Sequence, residues 1–248
     1  NTNTWTEIVS GTTTKPSIRG GHTAIYQNEK MMIFGGGDPK TGSLDDVWNL
    51  NLNTNEWKKI STSGADKPGK CSGHNAVYYD FHMYVFGCLN NDIYRLYLLT
   101  NTWSKRSNAV NSAKAAISGA TSILYDNLWI VFGGSNNANN DAYSFDLLHE
   151  QSSILTTSGT KPSGRTAFSS IFYNKKMIIF GGKASPASYP NNDVFVLNLN
   201  GLPTVKANTG GGGGEDSTQA SIGTKITYQH IFTNFILIII CIVVMFLH

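Results

Sequence analysis

The chain has 248 residues, with 19 Lys and Arg against 16 Asp and Glu and a formal net charge of +3. So small an excess, without a basic run or a base-stacking aromatic signature, gives no argument for nucleic acid binding. The three cysteines do not make a disulfide framework, and the length suits one sizeable all-β domain with appendages.

The first residues, Asn1-Thr2-Asn3-Thr4-Trp5, nearly repeat Asn53-Thr54-Asn55-Glu56-Trp57. Residues 3–9 therefore read as the last strand of a repeating unit without its first three strands. Gly21 then opens a strand run that ends in the hairpin turn Tyr26-Gln27-Asn28-Glu29-Lys30. Met32-Ile33-Phe34-Gly35-Gly36 follows, then a loop, the triplet Asp46-Val47-Trp48, an Asn/Thr-rich turn and Trp57. The same order recurs from Gly73 through Tyr84-Val85-Phe86-Gly87-Cys88 and Asp92-Ile93-Tyr94 to Trp103. It recurs again from Gly119 through Ile130-Val131-Phe132-Gly133-Gly134 to Asp141-Ala142-Tyr143. The fourth copy runs from Ala167 through Ile178-Ile179-Phe180-Gly181-Gly182 to Asp193-Val194-Phe195, and its last strand, Pro203–Ala207, is degenerate.

Each run is short, rich in β-branched and aromatic residues, and bounded by Gly, Asn, Asp or Pro, which predicts a strand. A period of roughly 50 residues means one supersecondary unit copied in tandem, here four antiparallel strands that need neighbours to bury a core. Gly35, Gly36, Gly87, Gly133, Gly134, Gly181 and Gly182, with Trp5, Trp57 and Trp103, are expected to be the structural framework of the repeat.

With several elements recurring in register, residues 1–200 resemble the kelch repeat. The resemblance implies an all-β kelch β-propeller, with four recognisable blades at approximately residues 18–60, 71–107, 117–156 and 165–199. Residues 3–9 are then either a strand that completes blade four and closes a small ring, or a remnant within a larger ring. The chain departs from the pattern at Cys88 in place of a second glycine, at Gln151 where the third tryptophan falls, and at Ile117 where Arg19 and Arg165 stand. With a hairpin turn at Asp80 and Phe81, Cys88 lies opposite Gly73 and diagonal to Cys71. That geometry admits a disulfide, and two free thiols are the competing expectation.

From Gly201 the repeats stop. Residues 201–229, with Thr209–Gly214 at their centre, read as a flexible linker spanning about 25–30 Å. Residues 230–248 carry the uncharged stretch Ile231–Leu247, whose length of about 17 residues is at the short limit for crossing a membrane. A helix satisfies its own backbone in lipid, so a transmembrane helix is expected and the lipid bilayer is the first partner. Single-pass, tail-anchored and lipid-anchor arrangements all fit. Lys225 on the propeller side and the lack of any Asn-x-Ser/Thr acceptor lean towards a cytosolic propeller.

No catalytic residue, cofactor or metal is expected. Gly35-Gly36-Gly37-Asp38-Pro39-Lys40-Thr41 lacks the Gly-Lys-Ser/Thr ending of a phosphate loop. His22 and His74 share a repeat position that later blades fill with Ala120 and Phe168, so it reads as a packing position rather than a ligand. Some kelch-like propellers are copper radical oxidases resembling galactose oxidase. No out-of-register His/Tyr group stands here to carry the copper, so the resemblance implies the scaffold and not the reaction. A carbohydrate-active or galactose-oxidase-like extracellular propeller, with its site in blades absent from the chain, is the alternative. The favoured reading is a non-catalytic protein-interaction module. Its loops joining strands two to three and neighbouring blades should share one face. Lys15, Lys67 and Lys161 repeat there, with Lys40 and Lys183 nearby, making a locally basic surface for a protein partner. Solvated turn lysines copied with the unit are the plainer account of the same residues.

Overall fold

A computed structural model describes residues 3–88, 92–106, 118–134, 140–184 and 189–205. Most of the expected linker and the whole stretch Ile231–Leu247 lie outside the described residues. Blade one is the sheet β1 (Thr23–Gln27), β2 (Lys30–Phe34), β5 (Val47–Asn51) and β6 (Glu56–Ile60), with the small ribbon β3 (Gly37–Asp38) and β4 (Gly42–Ser43) in its loop. Blade two comprises β7 (Asn75–Tyr79), β8 (His82–Phe86), β9 (Ile93–Tyr97) and β10 (Thr102–Arg106). Blade three comprises β11 (Thr121–Tyr125), β12 (Leu128–Phe132), β13 (Ala142–Asp146) and β14 (Gln151–Ile154). Blade four has three strands, β15 (Ser169–Tyr173), β16 (Lys176–Phe180) and β17 (Val194–Asn198). Every pairing within the blades is antiparallel. The first hairpins turn tightly: Asn28 and Glu29 take φ of 55° and 57°, and Asp80 and Phe81 take 43° and 59°, the left-handed pair whose twist matches the flanking strands.

Alternation along each strand gives a blade two faces. Met32, Phe34 and Val47 of blade one meet Met83, Val85, Tyr94, Leu96 and Trp103 of blade two. Tyr84, Phe86 and Ile93 meet Trp129, Val131, Tyr143 and Phe145 of blade three. Ile130, Phe132 and Ala142 meet Met177, Ile179 and Phe195 of blade four. The three interfaces repeat one register: the Phe before the glycines points forward, and the residue before it points back. Burying each such side chain contributes about 1.5–3 kcal/mol.

The innermost strands pack in succession, β1 beside β7, β7 beside β11 and β11 beside β15. Main-chain bonds tie their starts together, with Gly73 N–H donating to Gly21 O at 2.8 Å, Gly119 to Gly73 at 2.7 Å and Ala167 to Gly119 at 3.3 Å. No comparable packing joins β15 to β1 among the described residues, so the four blades form an arc. The forward face of its last blade is uncovered. Phe34 and Phe86 are 0% exposed and Phe132 5%, whereas Phe180 is 54% exposed. Ile171, Val194 and Val196 are exposed beside it.

Three details differ from the sequence reading. Residues 3–9 form no strand and Trp5 is fully exposed, so they do not complete blade four. Nor does Pro203–Val205 supply its outer strand: Leu202 packs against the core shared by blades three and four, and the Val205 N–H donates to Asn127 Oδ1 at 2.8 Å. In blade three the tryptophan position belongs to Ser152. Ser152 faces Phe145 as Trp103 faces Leu96, and Gln151 lies one residue earlier opposite Asp146.

Candidate interaction surface

The interblade segments and the loops between second and third strands interlace on one face. Gly36 N–H donates to Cys71 O at 2.8 Å, Cys71 N–H to Leu44 O at 2.9 Å, and Gly134 N–H to Arg165 O at 2.9 Å. This close approach is what the glycine pairs permit. A Cβ on Gly35 would stand 2.7 Å from Cys71 O, and one on Gly133 2.6 Å from Arg165 O. The framework role expected for these glycines rests on that contact with the next blade.

Arginine clamps stiffen the same junctions. Arg19 donates through Nη1 to Gly35 O at 3.0 Å and grips both oxygens of Asp46, at 2.6 and 3.1 Å. Arg165, 1% exposed, repeats this on Gly181 O and both oxygens of Asp193, with its guanidinium over the Phe195 ring. Burial would raise the Asp46 carboxyl, but bonds from Arg19 and Trp48 hold it below the usual carboxylate range. The Arg165 bond lowers Asp193 in the same way. In blade two the arginine position is Cys71, and a disulfide joins Cys71 to Cys88 with their Cα atoms 5.0 Å apart. Of the two expectations for this pair, the bridge is the one the structure contains.

The lysines divide by environment. Lys15 and Lys40 are exposed at the rim, and no carboxylate lies within ion-pair distance of either among the described residues. Lys67 donates to Thr62 O at 2.7 Å and Lys161 lies 3.5 Å from Asp141. Lys183 is half-buried, its backbone paired both ways with Thr166. Lys15 and Lys161 stand at equivalent mouths. Lys15, Pro16 and Arg19 edge a cleft of about 240 Å³ floored by Met31, Ile33 and Trp57. Lys161 and Pro162 edge a smaller one, of about 70 Å³, floored by Met177, Ile179 and Phe195. Met31 and Met177, and Ile33 and Ile179, are the same repeat positions. The alignment of Lys-Pro pairs was readable in the sequence; the apolar floor beneath them was not.

The histidine position packs in blade two, whereas His22 of blade one is exposed. His74 sits edge-on to Phe34 at 5.1 Å, as Phe168 sits on Phe132 at 5.9 Å. Its Nε2 shares a hydrogen bond with Thr23 Oγ1 at 2.7 Å, and burial, with nearby His22, lowers its pKa to about 4. Among the described residues no group of three or more His, Cys, Asp or Glu could hold a metal ion.

Three four-stranded blades and a three-stranded fourth, with recurring glycine pairs and interlaced loops, define a kelch-type propeller. The family model of the KLHDC2/KLHL20/DRC7 Kelch-repeats domain matches residues 1–182 and, in a second overlapping match, 89–230; the chain belongs to this kelch-repeat family. The host cell factor of Drosophila melanogaster is 35% identical over 83 residues, 34% of this chain and 5% of that protein. Kelch domain-containing protein 2 of Homo sapiens is 36% identical over 80 residues, 29% of this chain and 20% of that protein. The matched segments thus span no more than a fifth of these curated relatives. The solved structure of YjhT superposes with a TM-score of 0.56 at 18% identity, over 66% of this chain and 59% of that one, a likeness of fold.

Proposed function

We propose that this chain is a non-catalytic protein-interaction module, attached to a membrane, that receives an acidic partner on its loop face. The observation that carries the reading is the repeated cleft: a lysine–proline rim over an apolar floor, formed by Lys15 and by Lys161 at matched repeat positions. A rigid array of such sites suits a partner with spaced acidic groups flanked by apolar side chains. Lys67 extends the same row, and Lys40 and Lys183 add charge to its rim. Ile231–Leu247 supplies the attachment to the lipid bilayer. The Cys71–Cys88 bridge supports a propeller on the oxidising side of that membrane, outweighing the cytosolic lean of Lys225.

The test replaces Lys15, Lys67 and Lys161 together with Glu and compares partner capture from detergent-solubilised membranes with that of a Lys58→Glu, Lys59→Glu control on the outer strand. Capture should fall at least tenfold in the first variant only. Equal capture by both removes the loop-face reading. Membrane attachment is tested by deleting residues 231–247, which should release the protein from sedimented membranes.

A further inference from the structure

Four residues at the junction of blades two and three depart from the repeat together. Arg95 stands where blades one and three have Asn49 and Ser144, and Tyr84 where they have Met32 and Ile130. Arg106 stands where blade one has Ile60. Glu150 holds the left-handed position before an outer strand, at φ 57°, where blades one and two have Asn55 and Asn101. Asparagine tolerates that conformation better than glutamate does.

The four meet. Strand pairing sets Arg95 between Tyr84 and Ser104, on the face of blade two turned towards blade three. Arg95 donates through Nη1 to Glu150 Oε1 at 2.8 Å and through Nε to Ser104 Oγ at 3.0 Å, and its side chain also hydrogen-bonds Tyr84. Arg106 reaches the same Glu150 oxygen through Nη2. Two guanidiniums thus share one carboxylate oxygen, and one positive charge is left over. Arg106 Nε is buried with no acceptor among the described residues. His82 senses the excess: burial first, then the charges of Arg95 and Arg106, lower its pKa against the opposing effect of Asp80.

The junction clamps elsewhere use one arginine for one carboxylate, as Arg19 with Asp46 and Arg165 with Asp193. Here the ratio is two to one and a donor is unused. A tetrahedral dianion offers what Glu150 lacks, a second negative charge and further acceptor oxygens. Glu150 is on an exposed turn, its side chain 38% accessible, and has solvent to swing into. We propose that Arg95 and Arg106 form a binding site for a tetrahedral oxyanion of the phosphate or sulfate type, which Glu150 fills by default and vacates when the anion binds. The site shares no residue with the lysine row of the loop face.

Equilibrium dialysis of the full-length chain in detergent against labelled inorganic phosphate, sulfate and acetate tests this. Phosphate or sulfate should bind more tightly than acetate. Glu150→Gln, which removes the competing charge and keeps the shape, should tighten binding about tenfold, and Arg106→Gln should weaken it by a similar factor. Replacing Lys15, Lys67 and Lys161 with Glu should leave it unchanged. No binding by either the unmodified chain or Glu150→Gln overturns the proposal and leaves the cluster an interblade clasp. So does acetate binding as tightly, or phosphate lost with the lysines and kept in Arg106→Gln. A readout on the unmodified chain avoids any effect of substitution on folding: phosphate should slow modification of Arg95 and Arg106 by a guanidinium-directed dicarbonyl reagent, mapped by peptide mass. Equal rates with and without phosphate contradict the site.

Discussion

Cys71 is bonded to Cys88 at the position where blades one and four use Arg19 and Arg165 to fasten the start of the first strand to the glycine turn. One junction, two chemistries: blade two has a covalent clasp where blades one and four have a bidentate ion pair. Asp92, the counterpart of Asp46 and Asp193, lies instead 3.6 Å from Lys105.

The clasp should matter to stability. It closes a loop with a sequence separation of 17, for which loss of chain entropy in the unfolded state corresponds to about 3 kcal/mol. Urea unfolding with and without reductant should show the reduced protein less stable by that order. Coincident midpoints contradict a structural role for the bridge.

The clasp's counterpart in blade four is equally specific. Arg165→Lys keeps the charge but loses the planar fork that holds Gly181 O and both Asp193 oxygens, and should cost about 2–4 kcal/mol at this buried site. Lys105→Ala removes a partly exposed pair and should cost less than about 1 kcal/mol. Equal losses in thermal or urea unfolding would show that the arginine is not a clamp.

Acid stability should report on His74. Its folded pKa, about 4, lies below the ordinary 6.5 because burial disfavours the charged ring. The unfolded chain therefore binds the extra proton first as pH falls. The stabilisation is complete above pH 6.5 and is lost as pH drops through about 4, by about 3 kcal/mol. His74→Phe, the residue blade four uses at this position, should flatten that part of the pH profile. An unchanged slope between pH 6.5 and 4 assigns it to other groups.

Ala167 holds φ of 54° at the position where Gly21, Gly73 and Gly119 hold 65° to 74°. A side chain there costs about 1 kcal/mol, so Ala167→Gly should raise stability by that amount despite glycine's greater freedom when unfolded. A loss of stability would mean that the Ala167 methyl makes a contact worth more than its strain.

Much of this architecture was legible because it rests on local alternation. The turn at Asp80 and Phe81 fixed Cys88 opposite Gly73, and the Phe-Gly runs marked the second strand of each blade. What was not legible depends on neighbours. Phe180 has the same local sequence as Phe34, and nothing near it says that one is buried and the other exposed. Trp5 looks like Trp57 whether or not a sheet receives it. Arg19 meets Asp46 across 27 positions, a pairing that exists only once the blade has turned. The third tryptophan position was misplaced by one residue because the turn before β14 lacks the Asn-Thr marker of the other two. At the loop face the repeated lysines were visible, but the apolar cleft floors come from strands far from them in sequence.

The uncovered forward face of blade four is the central structural claim, and one comparison tests it directly: the urea-unfolding cost of Phe86→Ala against that of Phe180→Ala. Both residues precede the glycine turn in the same register, but one is 0% and the other 54% exposed. An uncovered fourth blade predicts a loss of about 3–5 kcal/mol for Phe86 and about 1 kcal/mol or less for Phe180. Equal, large losses would mean that a further blade covers Phe180 and that the arc is closed.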